Sequence, residues 1–207
     1  MAVITISRQY ASGGAEIARM VADRLGWTLI DGEFVDRVAE RVGLPPEEIA
    51  IREERVPSLL ERLGKTLAVS SPEAFLTAAD YTADDPQPAE EIVQMTNAVI
   101  KEAAEHGDVV LVGRGAQAYL ASRDDAVHVR IVAPMEDRIR VAQERLDVSA
   151  KEAERTVNAI DHDRKAYVHT HYQRDWEDAA NYHMIINSSR MSNEHVVDLI
   201  VQAAKKI

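Results

Sequence analysis

The 207-residue chain contains no cysteine. Disulfides and thiolate metal sites are therefore excluded, and the redox state of the compartment leaves no mark. No apolar run approaches the ~20 residues that span a bilayer, so no membrane partner is expected. Positive charge is scarce: 24 Lys and Arg stand against 35 Asp and Glu, a net charge of −11. That excludes a general basic surface for nucleic acid. It leaves room for a local basic pocket that takes a small anion. No internal repeat or low-complexity tract is visible. The first residues read as a strand, not as a basic region followed by an apolar signal core, so a cytoplasmic location is expected. The apolar share, 46%, is ordinary for a globular protein. The length suits one α/β domain with a helical insertion.

The first twenty-six residues read as strand, glycine-bearing turn and helix. Ala2 to Ile6 is short, apolar and β-branched, as a buried parallel strand requires. Ser7 to Gly14 is a turn ending in adjacent glycines. Ile17, Met20, Val21 and Leu25 recur at helical spacing, and Gly26 closes the helix. A glycine turn leading into a helix N-terminus directs free amides and a positive helix end at one point, which suits a phosphate. The Walker A pattern, G-x-x-x-x-G-K-[ST], is not met. With Gly13 as its second glycine, Arg8 falls on the first, Gly14 on the lysine and Ala15 on the Ser/Thr. The plain alternative is an ordinary βα turn.

Five strands are expected near 2–6, 27–30, 108–112, 126–133 and 183–187, alternating with helices. That pattern predicts a mostly parallel sheet covered on both faces. Asp31 falls at the carboxyl end of the second strand, where such sheets bind ligands; it suits equally a cap for the next helix. Residues 45–90 read as a helical insertion, either a water-excluding lid or plain decoration. Its most loop-like part is Tyr81 to Pro88, a mobile surface connection by composition. A helix is expected from Glu90 to His106. Arg114 stands between Gly113 and Gly115 at a strand's end, placed to grip an anion with its fork, or else is a surface arginine. Tyr167 to Tyr182 gathers half of the tyrosines and one of two tryptophans. His162, His169 and His171 lack the spacing of helical zinc motifs and read better as solvated loop residues than as a metal site.

Several segments together resemble the cytidylate kinase-like family, a branch of the P-loop nucleoside monophosphate kinases. They are Ile4 to Ala18, Val112 to Gly115, Ala133 to Arg138, Asp161-x-x-Arg164 with Tyr167, and Trp176-x-Asp178-x-x-x-Tyr182 leading into Ile185 to Asn187. Each alone is weak; their combination in this order is specific and spans nearly the whole chain. The resemblance implies a P-loop kinase core over 1–44, 90–147 and 183–207. It implies a monophosphate-binding insertion at about 45–89 and a LID-like segment at about 148–182, all one domain over 1–207. It also implies phosphoryl transfer from ATP, with Mg²⁺, to a small nucleotide of the CMP or dCMP kind. Neither nucleic acid nor membrane is implied as a partner, and the oligomeric state stays open.

By the same resemblance, Arg8, Ser12, Gly13, Gly14, Ala15 and Glu16 cover the ATP phosphates. Glu16 falls on the Mg²⁺-bearing Ser/Thr, because those kinases carry a glycine between lysine and Thr. Arg8, Arg138 and Arg164 are the candidate catalytic residues. Asp31, Arg37, Arg114, Arg140, Asp161 and Arg174 are candidates for the acceptor side. Gly14 lands on the loop lysine, so Arg8 is the candidate to replace it, and the Glu16 carboxylate the candidate to hold Mg²⁺. The alternatives are a kinase fold that binds nucleotide without turnover, and a kinase of a non-nucleotide acceptor.

Overall fold

The computed structural model describes residues 2–31 and 86–206. The chain forms two compact units, 1–31 with 106–207, and 32–105. Of the second unit only residues 86–105 fall among the described ones, all in the helix α2, Pro86–His106, whose last residue belongs to the first unit. The helix begins four residues before the expected Glu90. Arg37, and the insertion expected at about 45–89 apart from that helix start, lie outside the described residues.

The first unit is built on five parallel strands: β1 Val3–Arg8, β2 Thr28–Asp31, β3 Val109–Val112, β4 Ala126–Val132 and β5 Met184–Asn187. Their order is β2-β3-β1-β4-β5, and a short helix α3, Ala116–Tyr119, follows β3. All expected strands form, with ends shifted by up to two residues. β1 is central, pairing Ile6 with Val112 on one side and Arg8 with Ile131 on the other. The loop after β1 therefore opens between the ends of β3 and β4, where a doubly wound sheet reverses its direction of winding and binds ligands.

One face of the sheet is apolar. Ile4 and Ile6 of β1 meet α1 (Gly14–Leu25) through Ile17 and Val21, and α6 (Asn193–Ala204) through Val197 and Ile200. Burying each of these side chains contributes roughly 1.5–3 kcal/mol. Gly26 ends α1 in the left-handed region, φ 67°, its amide returning to Ala22 and Asp23. The other face of β1 carries Thr5 and Ser7, both buried. Ser7 Oγ accepts the indole N–H of Trp176 at 2.7 Å. Arg130, its register partner on β4, lies 4.1 Å from the Trp176 ring centroid and donates to the Trp176 carbonyl. The cation is desolvated, but an aromatic face and a carbonyl take its charge. This cage ties the segment after helix α5 (Ala150–Tyr172) back to the sheet.

Thr5 Oγ1 and His128 Nδ1 are 2.7 Å apart, and the His128 ring stacks on His183. Burial first, then the charge of His183, pushes the His128 pKa down to about 4. The unfolded chain takes up that proton near the ordinary 6.5, the folded chain only near 4. Stability from this site is thus complete above pH 6.5 and falls as pH drops towards 4, by about 3 kcal/mol in all. Urea titrations from pH 7 to 4.5 should show this acid loss, and His128→Gln should flatten it. An unchanged slope in His128→Gln would refute it.

Candidate active site

Helices α4 (Met135–Leu146) and α5 build the floor of the loop between β1 and α1. α5 starts at a capping box, Ser149 with Glu152. It then runs unbroken for 23 residues. Much of the segment expected as a LID is thus one long helix. His162, His169 and His171 stand exposed on it, in a helix rather than a loop.

Tyr10 is the loop's anchor, and sequence reasoning passed over it. Its ring is buried among Ala142 of α4 and Ala153 and Val157 of α5. Its amide donates to Asp161 Oδ1 at 2.7 Å, and Arg138 Nη1 reaches its carbonyl at 3.4 Å. Arg138 Nη1 also meets Asp161 Oδ2 at 2.5 Å, and its Nε donates to the Ala133 carbonyl at 3.1 Å. Arg138 is 4% exposed, with Nε and Nη1 committed to protein oxygens and Nη2 directed at Met135 Sδ at 3.7 Å. Through these contacts Arg138 and Asp161 hold the loop at Tyr10. Gln9 completes the grip, accepting the Ala133 amide, while Ser12 Oγ donates to the Gln9 carbonyl. Ser188 Oγ donates to the Ser12 carbonyl at 2.7 Å.

The loop so held turns through the left-handed region at Ala11 (φ 59°) and at Gly13 (φ 75°), the N-cap of α1. No side chain caps that helix end. The first-turn amides of Gly14, Ala15 and Glu16 have no intrahelical acceptor. Gly13, Ala15 and Glu16 are exposed, and the amides with the helix dipole suit an anion there.

Gly14 explains the missing lysine. A Cβ there would lie 2.6 Å from Arg8 Cβ and 3.3 Å from Ile131 Cβ. The end of β1 comes so close to the start of α1 that no side chain fits at the lysine position. The Arg8 side chain fills the space instead and crosses to β3. A Cβ at Gly113 (φ 78°) would run into the Arg8 guanidinium, 3.0 Å from its Cζ. Two glycines, one on each strand's exit, thus make the channel for one arginine.

Arg114 follows in the left-handed region, φ 49°, its guanidinium 5.9 Å from the Tyr167 ring centroid. Burial is the main force lowering its pKa. Arg164, on α5, donates to the Arg8 carbonyl at 2.8 Å and stands 3.8 Å from Asp161. Burial lowers its pKa most; Asp161 opposes this, and the charges of Arg114 and Arg138 add to it. Guanidinia partly stripped of water and repelling one another are relieved by a bound anion. Asp31 ends β2 beside Val112, at the same edge of the sheet. Arg140 and Arg174 are not drawn in. Arg140 faces solvent beside Asp137 and Glu144 of its own helix, and Arg174 donates to Asn181. Among the described residues no cluster of three or more His, Asp or Glu could hold a metal ion.

A central-strand loop over a helix N-terminus, in a five-stranded parallel α/β sheet, defines the fold of the P-loop kinases. The chain belongs to the cytidylate kinase-like family, whose model matches residues 3–190. No curated protein matches the sequence. Among solved structures, an uncharacterized protein from Eubacterium ventriosum is similar over 100% of both chains, at 19% identity and a TM-score of 0.72. Shikimate kinase from Bacteroides thetaiotaomicron is similar over 99% of this chain and 97% of its own, at 10% identity and a TM-score of 0.51. A gluconokinase from Sinorhizobium meliloti covers 99% and 92%, at 12% identity and a TM-score of 0.50. These likenesses share the fold. Among the described residues no helix is long and apolar enough to cross a membrane.

Proposed function

We propose that this chain transfers the γ-phosphoryl group of ATP to a nucleoside monophosphate of the CMP or dCMP type, in the cytoplasm. The observation that carries the proposal is Arg8, whose side chain lies between the phosphate-loop helix and the Gly113–Gly115 turn. Phosphoryl transfer asks the protein mainly for positioning and for positive charge around the transferred group. In this reading the Gly13 to Glu16 amides hold the β- and γ-phosphates. Arg8 spans the donor and acceptor sides in the lysine's place. Arg164, held on the Arg8 carbonyl, adds charge from α5. Arg114 takes the acceptor's phosphate bidentately. An acceptor phosphate oxygen then bonds to the γ-phosphorus as the β–γ bridge breaks, and ADP leaves.

Mg²⁺ keeps several waters and takes one or two carboxylates beside substrate phosphates, so it does not need an all-protein cage. The exposed Glu16 in the first turn of α1 and Asp31 at the end of β2 fit that demand. The ion's chemistry would be to offset phosphate charge. A second reading, nucleotide binding without turnover, is favoured by Gly14 alone, since a lysine has no room there.

ADP release from ATP and Mg²⁺ tests the proposal against a panel of nucleoside monophosphates, shikimate and gluconate. Fastest turnover on CMP or dCMP is expected. Release with shikimate or gluconate alone would overturn the acceptor class. No release with any acceptor would leave the binding-only reading.

A further inference from the structure

The Gly113–Gly115 turn has two flanks. Arg8 fills the space beside Gly113. The space beside Gly115 (φ 68°) is filled by Tyr172, the last residue of α5. A Cβ at Gly115 would run into the Tyr172 ring edge and lie 2.8 Å from its Cδ2. The Tyr172 hydroxyl donates to the Arg114 carbonyl at 3.2 Å. Gly113, Arg114 and Gly115 all have positive φ, 78°, 49° and 68°. For an arginine that backbone costs roughly 1–2 kcal/mol, so something must hold it. The turn's own backbone does part of this, Gly113 N–H donating to the Ile6 carbonyl at 3.1 Å and Ala116 N–H to the Gly113 carbonyl at 3.0 Å, and the Tyr172 ring and hydroxyl add contacts on the Gly115 side. Tyr167, 6.1 Å from Tyr172 between centroids, lies against the Arg114 guanidinium.

We propose that Tyr172 is a positioning residue that holds Arg114 in its strained turn, so that the arginine meets the acceptor's phosphate. The inference rests on the phosphate-acceptor reading above. It gives α5 a double task. Asp161 and Arg164 brace the donor loop through Tyr10 and Arg8. Tyr172, about 16 Å beyond Asp161 and about 12 Å beyond Arg164 along the same helix, braces the acceptor turn. One rigid element sets the distance between the two phosphate sites.

Kinetics of Tyr172→Phe, alone and with Arg114→Ala, tests this. Loss of one hydrogen bond should raise the KM for CMP about 5–10-fold. The KM for ATP and the melting temperature should hardly move. With Arg114→Ala already present, Tyr172→Phe should add less than about twofold, because both act through one group. Tyr172→Ala, which also removes the ring, should do more than Tyr172→Phe. An unchanged CMP KM in Tyr172→Phe, or an effect that persists undiminished in the Arg114→Ala background, would overturn the proposal.

If the wild type phosphorylates no monophosphate, the function reading fails and the same cycle is read with inorganic phosphate. A phosphate-induced rise in melting temperature that is lost in Arg114→Ala and reduced in Tyr172→Phe supports the positioning role. No rise in the wild type, or equal rises in all variants, overturns it.

Discussion

Arg8→Ala is expected to lower kcat/KM for ATP-dependent phosphorylation of CMP by about 10³-fold, the scale on which an arginine at a transferring phosphoryl group acts. The space around Gly14 sets this expectation. A side chain at that position would collide with Arg8 Cβ, which lies next to the backbone and cannot swing away. Lysine is thus excluded by how β1 meets α1, and the charge it supplies elsewhere has to come from another residue. Arg8 threads between Gly14 and Gly113 and so reaches the same gap from the opposite wall. Its charge is permanent and its fork matches phosphate oxygens. Arg8→Lys keeps charge but loses the fork, and should fall between wild type and alanine. Gly14→Lys should not improve turnover. Activity in Arg8→Ala within threefold of wild type would sink the substitution idea.

Asp161→Ala is expected to destabilise the fold by about 3–5 kcal/mol, the usual cost of leaving a buried charge without its partner. The Arg138 side chain is buried and meets Asp161 at 2.5 Å. Removing the carboxylate also strips the Tyr10 amide of its acceptor. The loop should loosen before the whole domain melts, so ATP affinity should suffer even well below the melting temperature. Thermal melts together with ATP titration check both parts. A melting temperature within about two degrees of wild type would contradict the buried-pair account.

The strand pattern was legible because each strand is a short apolar run bounded by turn residues. The turn between β1 and α1 was legible because two adjacent glycines, Gly13 and Gly14, stand between the first apolar run and the first helical one. The packing around it was not. Arg138 and Asp161 carry the charges expected of substrate contacts, and only their long-range hydrogen bonds reveal that they hold Tyr10. Arg140 shares a helix with Arg138 but points to solvent, and a motif match does not distinguish the two. Tyr10 looked like a turn residue because its partners lie well over a hundred residues away. Tyr172 and Trp176 were seen as an aromatic cluster; their targets, Gly115 and Ser7, come from distant strands and leave no local pattern. The histidines read as loop residues because α5 is rich in charge and weak in apolar periodicity, so its unbroken length was hard to see. Gly14 looked like a defect in a motif until the neighbouring side chain was in view.

The most direct measurement is the melting temperature of wild type and Arg8→Ala with and without saturating ATP and Mg²⁺. A ligand that binds the native state at about 100 times its Kd adds about 2.7 kcal/mol, a rise of several degrees for a chain of this size. The account predicts that rise in wild type and its near loss in Arg8→Ala, with the two apo proteins melting within a few degrees of each other. No rise in wild type, or the same rise in both, would contradict an arginine-built phosphate site.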